Sequence, residues 1–273
     1  MNAPTTRPVP SPARMAAVCV GRDVKTAVRQ RDQLVFTLLF PVLMLVIFSV
    51  AFGAEEIGPP GAEVSMATYY LPGMLAAGVM MVGAQGLGLD IALDKANGTL
   101  KRLGATPLRP ASYLAAKIAA MIILGAAQAV LILATGAVLG AALPSTPGAW
   151  ARLAWVVLLG LAACSVIGIG LSSAPRSGKS APAVIIPIIL VLCFISGVYL
   201  PYSQLPGWLQ DAAALFPLKW LGQGARSALL PDAFAALEPA HAWQPGLVAL
   251  VLAGWLVLGA VWGRATFHWS KAV

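Results

Sequence analysis

Long apolar runs that lack charged side chains are the feature that most constrains what this chain can fold into. Its 273 residues include 10 acidic and 18 basic side chains, so that only 10% are charged. A soluble chain carries about a quarter of its residues in these types because its surface faces water. With 59% hydrophobic residues, the composition excludes a soluble enzyme, a disordered chain and a secreted disulfide scaffold. It predicts an all-α polytopic membrane protein.

Six segments approach the roughly 20 predominantly apolar residues that a helix needs to cross the hydrocarbon core. They form a predicted six-span transmembrane domain over residues 34–263, followed by a cytoplasmic tail over residues 264–273. Residues 1–12, which hold four prolines, are predicted to form a disordered cytoplasmic tail. The predicted spans are 34–52, 67–89, 118–142, 153–171, 183–200 and 246–263.

Basic side chains are concentrated on alternate sides of the predicted spans. All but three of the 18 Lys and Arg residues lie before the first span, around the second and fourth connections or after the last span. The exceptions are Arg152, Lys219 and Arg226. Because cytoplasmic flanks retain positive charge, both termini are predicted to lie in the cytoplasm, with the chain in the inner membrane. The net charge of +8 is then a topology signal, and no nucleic-acid partner is expected.

Residues 13–33 combine small apolar side chains every three or four positions with basic side chains on another face. This pattern predicts an amphipathic helix that lies in the cytoplasmic headgroup layer of the lipid bilayer. An ordinary basic segment beside the membrane is the alternative. The basic face of the predicted interfacial helix contains Arg22, Lys25 and Arg29.

The connection after the fifth span, residues 201–245, is too apolar for an ordinary loop in water. Leucine and tryptophan side chains recur along it, and prolines divide it into short pieces. It is predicted to be an outer amphipathic segment that lies along the outer leaflet or re-enters the bilayer. The residues that mark this segment are Pro206, Trp208, Pro217 and Trp220.

The predicted spans offer little chemistry. Asp90 and Asp94 fall at the cytoplasmic end of the second span, and Lys117 is expected to extend to the membrane surface. Ion-coupled carriers usually hold charged side chains well inside the bilayer, so an ATPase-independent secondary carrier or channel is the alternative rather than the leading hypothesis. The two histidines, His241 and His268, have no ligand-spaced partner. No catalytic site, metal or cofactor is therefore expected on this chain.

The tetrapeptide from Ser177 to Ser180 reads SGKS and resembles the end of a phosphate-binding P-loop. The first glycine of that motif would fall on Ser173, and Pro175 would interrupt the loop. The segment also joins two predicted spans instead of a strand and a helix. We therefore do not expect this chain to bind ATP itself.

Small residues at four-residue spacing leave flat faces on several spans and allow helices to approach closely. Packing inside the bundle is favoured over a subunit interface for any one stripe. The stripes contain Gly136 and Gly140, then Gly160, Cys164 and Gly168, then Gly259 and Gly263.

The segment between the second and third spans carries a family resemblance. From Asp94 to Lys117 it reads DKANGTLKRLGATPLRPASYLAAK. This segment resembles the cytoplasmic segment of type 2 ABC exporter permeases of the daunorubicin-resistance-like group, with the Gly-Thr-Leu-Lys-Arg-Leu core, the Thr-Pro turn and Tyr113 four residues before Lys117. Three further stretches resemble the same family. They are the outer end of the fifth span (196–201), the segment 204–218 and the ending 264–269. Ala96 stands where that family often has an acidic residue, so Asp94 would substitute for it.

The resemblance implies two permease copies, a homodimer or a related heterodimer, that work with a separate cytoplasmic P-loop ATPase. ATP and magnesium would bind to that partner. It also implies that the connection docks on the ATPase and couples it to transport. The implied coupling residues are Asp94, Gly98, Thr99, Leu100, Lys101, Arg102, Leu103, Thr106 and Pro107.

The leading hypothesis is therefore the permease subunit of an ATP-driven exporter. An apolar bundle suits a lipophilic or amphipathic substrate such as a drug, a natural product or a lipid. Export as the direction of transport rests on the resemblance alone, and the residues do not identify the substrate.

Overall fold

The computed structural model describes residues 18, 20–26, 31–53, 55–106 and 109–267. The predicted disordered tail 1–12, Arg29 of the predicted interfacial helix and Pro107 of the predicted coupling segment lie outside these ranges. Ten helices are labelled here in chain order, and α3 contains a π-helical stretch at Met81–Gly86. They are α1 (20–26), α2 (Arg31–Ala51), α3 (Met66–Ala96), α4 (Thr99–Gly104), α5 (Pro110–Val138), α6 (Pro147–Leu171), α7 (Ala181–Ile195), α8 (Gly207–Ala214), α9 (Pro217–Leu229) and α10 (Pro245–Thr266).

The remaining regular structure lies in the connections. Two short strands, β1 (Glu56–Ile57) and β2 (Val64–Ser65), pair antiparallel between α2 and α3, with Glu56 opposite Ser65. Two 3₁₀ turns, Tyr202–Gln204 and Asp232–Leu237, flank α8 and α9. The described chain is therefore an almost entirely helical bundle.

Four of the six predicted spans coincide with helices that are long and apolar enough to cross a membrane. These are α3, α5, α6 and α10. The predicted first and fifth spans coincide with shorter apolar helices, Val35–Ala51 within α2 and Ala181–Ile195. The chain is thus a polytopic all-α membrane protein, and the hydropathy pattern located each of the long apolar helices found in the described residues.

Two predicted spans continue several residues past the end of their helix, because a glycine reverses the chain there. The predicted third span continued to Ala142, but α5 ends at Val138 and Gly140 adopts a φ of 80°. The predicted fifth span continued to Leu200, but α7 ends at Ile195 and Gly197 adopts a φ of 75°. A left-handed glycine just after the last turn is a common helix terminator.

α3 and α6 form the centre of the bundle. In an apolar 18-residue stretch of α3, 89% of the residues are buried, compared with 22% in the corresponding stretch of α10. A Cβ added to Gly168 of α6 would lie 2.7 Å from the carbonyl oxygen of Ala84, and one added to Gly83 would lie 2.7 Å from the Cβ of Cys164. Gly259 and Gly263 of α10 likewise lie against α6, near Val166 and Ile169. The stripes of α6 and α10 are thus packing faces inside the bundle, whereas Gly140 of the remaining stripe lies past the end of α5 with no atom within 4 Å of an added Cβ.

A proline inside α2 is compensated by a side chain of α5. Pro41 has no backbone N–H, so the carbonyl of Thr37, four residues earlier, lacks its intrahelical donor. Gln128, only 1% exposed, donates its Nε2 to this carbonyl at 2.8 Å. In an apolar environment such a hydrogen bond satisfies a group that water cannot reach.

Replacing Gln128 by leucine is expected to destabilise the chain by about 1–2 kcal/mol, because the carbonyl of Thr37 loses its donor. The thermal unfolding midpoint of the purified chain measures this cost. In a Pro41→Ala background the same replacement should cost much less, because the backbone N–H of the introduced alanine restores an intrahelical donor. Equal costs in both backgrounds would refute the compensation.

The connection predicted to lie on the outer side places its second helix, α9, inside the bundle. Every residue of α9 is buried, and a Cβ on Gly224 would lie 2.9 Å from Val156 of α6 and 3.1 Å from Val248 of α10. Trp255, at the middle of α10, donates its indole N–H to the carbonyl of Leu215 at 2.9 Å. The turn between α8 and α9 therefore lies beside the middle of α10.

The three basic residues on the outer side of the predicted topology all contact α9 or belong to it. Arg152 donates to the carbonyl of Ser227 at 2.7 Å, near the end of α9. Lys219 donates to Gln223, whose amide donates to the carbonyl of Trp243 at 2.9 Å. Arg226 pairs with Glu238 at 2.7 Å. The amphipathic pattern of α9 thus reflects a polar face whose side chains find partners inside the protein.

Candidate functional site

A cluster of charged side chains joins three helices at the end of the bundle that the sequence predicts to be cytoplasmic. Asp90 and Asp94 lie one turn apart near the end of α3, and Tyr113 and Lys117 lie one turn apart near the start of α5. Residues four apart share a face of a helix, so each helix presents two of these groups to the other. Asp23 of α1 completes the cluster.

Lys117 is the centre of this cluster. Its Nζ lies 2.5 Å from Oδ2 of Asp90, 3.0 Å from Oδ2 of Asp94 and 3.8 Å from Oδ1 of Asp23. Tyr113 donates its hydroxyl to Oδ2 of Asp94 at 2.7 Å. The Lys117 side chain is only 4% exposed. One ammonium group therefore neutralises carboxylates from α1 and α3.

The prediction that Lys117 extends to the membrane surface is wrong. Three carboxylates surround its ammonium group. For a lysine one or two turns into a helix, these carboxylates are more favourable partners than the lipid headgroups. Asp94 was expected to face the ATPase, but its carboxylate contacts Lys117 and Tyr113 of the same chain.

Asp23 attaches α1 to the bundle. Its side chain is 5% exposed and also accepts a hydrogen bond from Arg22 at 3.1 Å. Val24 packs against the apolar cluster that contains Ile91, whereas Arg22 and Lys25 are exposed. The described part of the predicted interfacial helix thus has the expected basic outer face, and an acidic residue in that basic segment makes the inward contact.

Gly98 reverses the chain between α3 and α4, the helix of the predicted coupling segment. Gly98 has a φ of 68°, a conformation that favours glycine, and α4 begins at Thr99. Leu100 is 2% exposed and packs inward. Lys101 and Arg102 are exposed. α4 thus has one anchored apolar residue and a basic surface.

Hydrogen bonds within the segment stabilise the turns of α4. Arg102 donates to the hydroxyl of Thr99 at 3.3 Å, and the hydroxyl of Thr106 donates to the carbonyl of Leu103 at 2.6 Å. Leu103 is partly buried and Thr106 is exposed.

The ion cluster closes both ends of this segment. Asp94 lies just before it, and Tyr113 and Lys117 lie just after it, so their contacts join the end of α3 to the start of α5. A displacement of α4 therefore acts on both helices together.

The residues that mark the outer segment fall at the starts of α8 and α9. Pro206 immediately precedes α8, and Pro217 is the first residue of α9. Trp208 is 72% exposed and faces outward, whereas Trp220 is buried and donates to the carbonyl of Ala214 at 2.7 Å. These residues belong to α8 and α9 or immediately precede them. They lie far along the chain from the coupling segment.

Sequence reasoning missed the ion cluster as a unit, although a signal was present. The Asp90–Asp94 and Tyr113–Lys117 pairs have the same four-residue spacing on helices that a short connection makes neighbours. Nothing in the local sequence points to Asp23, because its contact with Lys117 spans more than 90 residues.

Comparison with known proteins identifies one family. Residues 16–230 match the family model described as ABC-2 type transporter. This range includes α1, the ion cluster, the coupling segment and all of α9. No curated protein matches the chain.

Proposed function

The chain belongs to the ABC-2 type transporter family, and from this premise we propose that it is the permease of an ATP-driven exporter. As a family member it is the membrane component of an ABC transporter, is not itself catalytic, and works with an ATPase subunit. The exporter group suggested by the coupling segment, the direction of transport and the subunit composition are parts of the proposal.

The observation that carries the proposal is the ion cluster at the two ends of the coupling segment. In this mechanism the ATPase dimerises on ATP, with magnesium, and pushes on α4 through the exposed Lys101 and Arg102. Because Lys117 joins α5 to Asp94 of α3 at 3.0 Å, the push tilts both helices. Switching the bundle between inward- and outward-facing states requires the ATPase to prefer one of them by a few kcal/mol.

In the proposed arrangement the chain crosses the inner membrane six times, and both termini lie in the cytoplasm. The shorter apolar helices Val35–Ala51 and Ala181–Ile195 complete the six. In this arrangement α8 and α9 re-enter the bilayer from the outer side and return. The contact of Leu215 with Trp255 at the middle of α10 supports this arrangement, since it lies far from either end of that helix.

The proposed transporter contains two permease copies, in keeping with the resemblance of the coupling segment. Its proposed substrate is lipophilic or amphipathic and enters from the inner leaflet. The central parts of α3, α5 and α6 support this class, because their buried polar side chains, such as Gln85, Gln128 and Ser165, are uncharged. The buried charges Lys219, Arg226 and Glu238 belong to the outer segment.

Affinity purification of the tagged chain from its native membranes in mild detergent, with intact-mass analysis, tests the proposal. The expected result is a soluble P-loop ATPase at two copies for two permeases. Permease recovered without any ATPase, under conditions that keep other membrane complexes together, would favour the ATPase-independent carrier or channel instead. Transport driven by an ion gradient in vesicles that contain only this chain would establish that alternative.

A further inference from the structure

A basic cavity opens between the end of α3, the helix α4 and the connection from α6 to α7. Its volume is about 170 Å³. Three of the residues that line it are cations, Lys95, Lys101 and Arg176, and none of its lining residues is acidic. The site is therefore positive, on the side of the bundle where the basic flanks are concentrated.

Two glycines bring these cations together from distant parts of the chain. The positive φ of Gly98 folds α4 back, so that Lys95 before the turn and Lys101 after it line the same cavity. Gly178 lies so close to α3 that an added Cβ would be 2.6 Å from the Cβ of Ala96. This approach places Arg176 beside the two lysines.

The positive charge of the cavity is not neutralised within the protein. In the described ranges, the ion pairs of the cytoplasmic side involve Arg22 and Lys117 and not the three cations of the cavity. Asp94 is next to Lys95 in sequence, but its carboxylate is engaged by Lys117 and Tyr113. The cavity therefore favours an anion from outside the chain.

A second, smaller cavity adjoins the first and has a mixed polar and apolar lining. Its volume is about 70 Å³, and it shares Lys95 and Ser172 with the basic cavity. Ile91, Leu100 and Phe267 supply the apolar part of its lining. The two cavities together place these three apolar side chains beside the cations.

We propose that these adjoining cavities bind an anionic phospholipid of the inner leaflet. The phosphate lies among Lys95, Lys101 and Arg176, and the start of the acyl region lies along Leu100 and Phe267. Basic groups at the cytoplasmic surface of a membrane attract anionic lipids electrostatically. A free phosphate ion would use the cations but would make no use of the apolar side chains Ile91, Leu100 and Phe267 beside them, so the continuity of the two cavities favours a lipid. A bound lipid would also join α4 to the connection after α6.

Native mass spectrometry of the full-length purified chain, titrated with phosphatidylglycerol or phosphatidylcholine, tests this site. Phosphatidylglycerol should bind more tightly than phosphatidylcholine. The double variant Lys95→Gln/Arg176→Gln should weaken phosphatidylglycerol binding roughly 20-fold, from the loss of two cations near the phosphate. Both side chains are exposed, so the variant should keep the thermal midpoint of the unaltered chain.

The matched control is Arg102→Gln/Lys179→Gln, which removes two exposed cations from the same side but outside the cavity. It should bind phosphatidylglycerol as tightly as the unaltered chain. Equal loss of binding in both double variants, or no loss in the first, would overturn the site. Displacement of the lipid by inorganic phosphate in large excess would reassign the cations to a soluble anion and overturn the lipid proposal. The assay requires no ATPase, so its outcome is independent of the proposed transport function.

Discussion

Replacing Lys117 by methionine is expected to destabilise the permease by about 3–5 kcal/mol, the largest effect that the structure predicts for one side chain. Methionine keeps most of the volume but removes the only cation that lies between Asp23, Asp90 and Asp94 in the described part of the chain. Those carboxylates would then repel one another in a poorly hydrated site. For a chain of this size, the thermal midpoint should fall by roughly 10 °C, as measured by loss of the monodisperse peak after heating.

Removing the opposing charges separates this effect from a simple loss of packing. In a background with Asp90→Asn and Asp94→Asn, the Lys117→Met replacement should cost much less than it does alone, because fewer carboxylates are left unpaired. Lys179→Met, at an exposed position on the connection between α6 and α7, should leave the midpoint unchanged. If Lys117→Met behaves like Lys179→Met, the ion cluster does not stabilise the fold.

Reversing the charge of Lys101 and Arg102 together is expected to uncouple the permease from its ATPase while the permease itself stays folded. Both side chains are exposed on α4, so the Lys101→Glu/Arg102→Glu variant loses no buried contact. If they meet an acidic surface of the ATPase, reversal replaces attraction with repulsion and should lower permease-stimulated ATP hydrolysis about 30-fold or more. The measurement is ATP hydrolysis by the reconstituted complex, beside transport in the same vesicles.

The control for this variant carries the same change in charge outside α4. Arg109→Glu/Lys179→Glu alters two other exposed cations and should retain stimulated hydrolysis. Membrane insertion and thermal midpoint should be the same for both variants. Normal hydrolysis and transport in the Lys101→Glu/Arg102→Glu variant would exclude α4 as the docking element.

Positions of the long helices and the charge of their flanks were readable from the sequence because both depend on neighbouring residues. A helix in a bilayer satisfies its own backbone, so an apolar run of sufficient length is enough to identify it. Gly98 was named from the family resemblance alone, and its role at a turn that needs positive φ became visible in the structure, where its φ is 68°.

The outer segment shows where local pattern stops being informative. An apolar face beside Lys219 and Arg226 predicts a helix at a water or headgroup boundary. The same pattern also fits a helix buried on all sides, provided that other parts of the chain meet the polar face. In α9 those partners are Glu238 and the carbonyl of Trp243, which follow the helix in sequence but were not predictable as its contacts.

Composition, hydropathy and flanking charge were therefore sufficient to establish a polytopic helical membrane protein with a basic connection between its second and third long apolar segments. Tertiary structure alone decided that Lys117 is the centre of an ion cluster instead of a surface lysine, and that Asp23 belongs to it. The physical reason is that burying a charge depends on the partners that other helices bring within about 4 Å. Which turns of α1, α3 and α5 face one another is settled by packing between them, and that packing is not a property of any one segment.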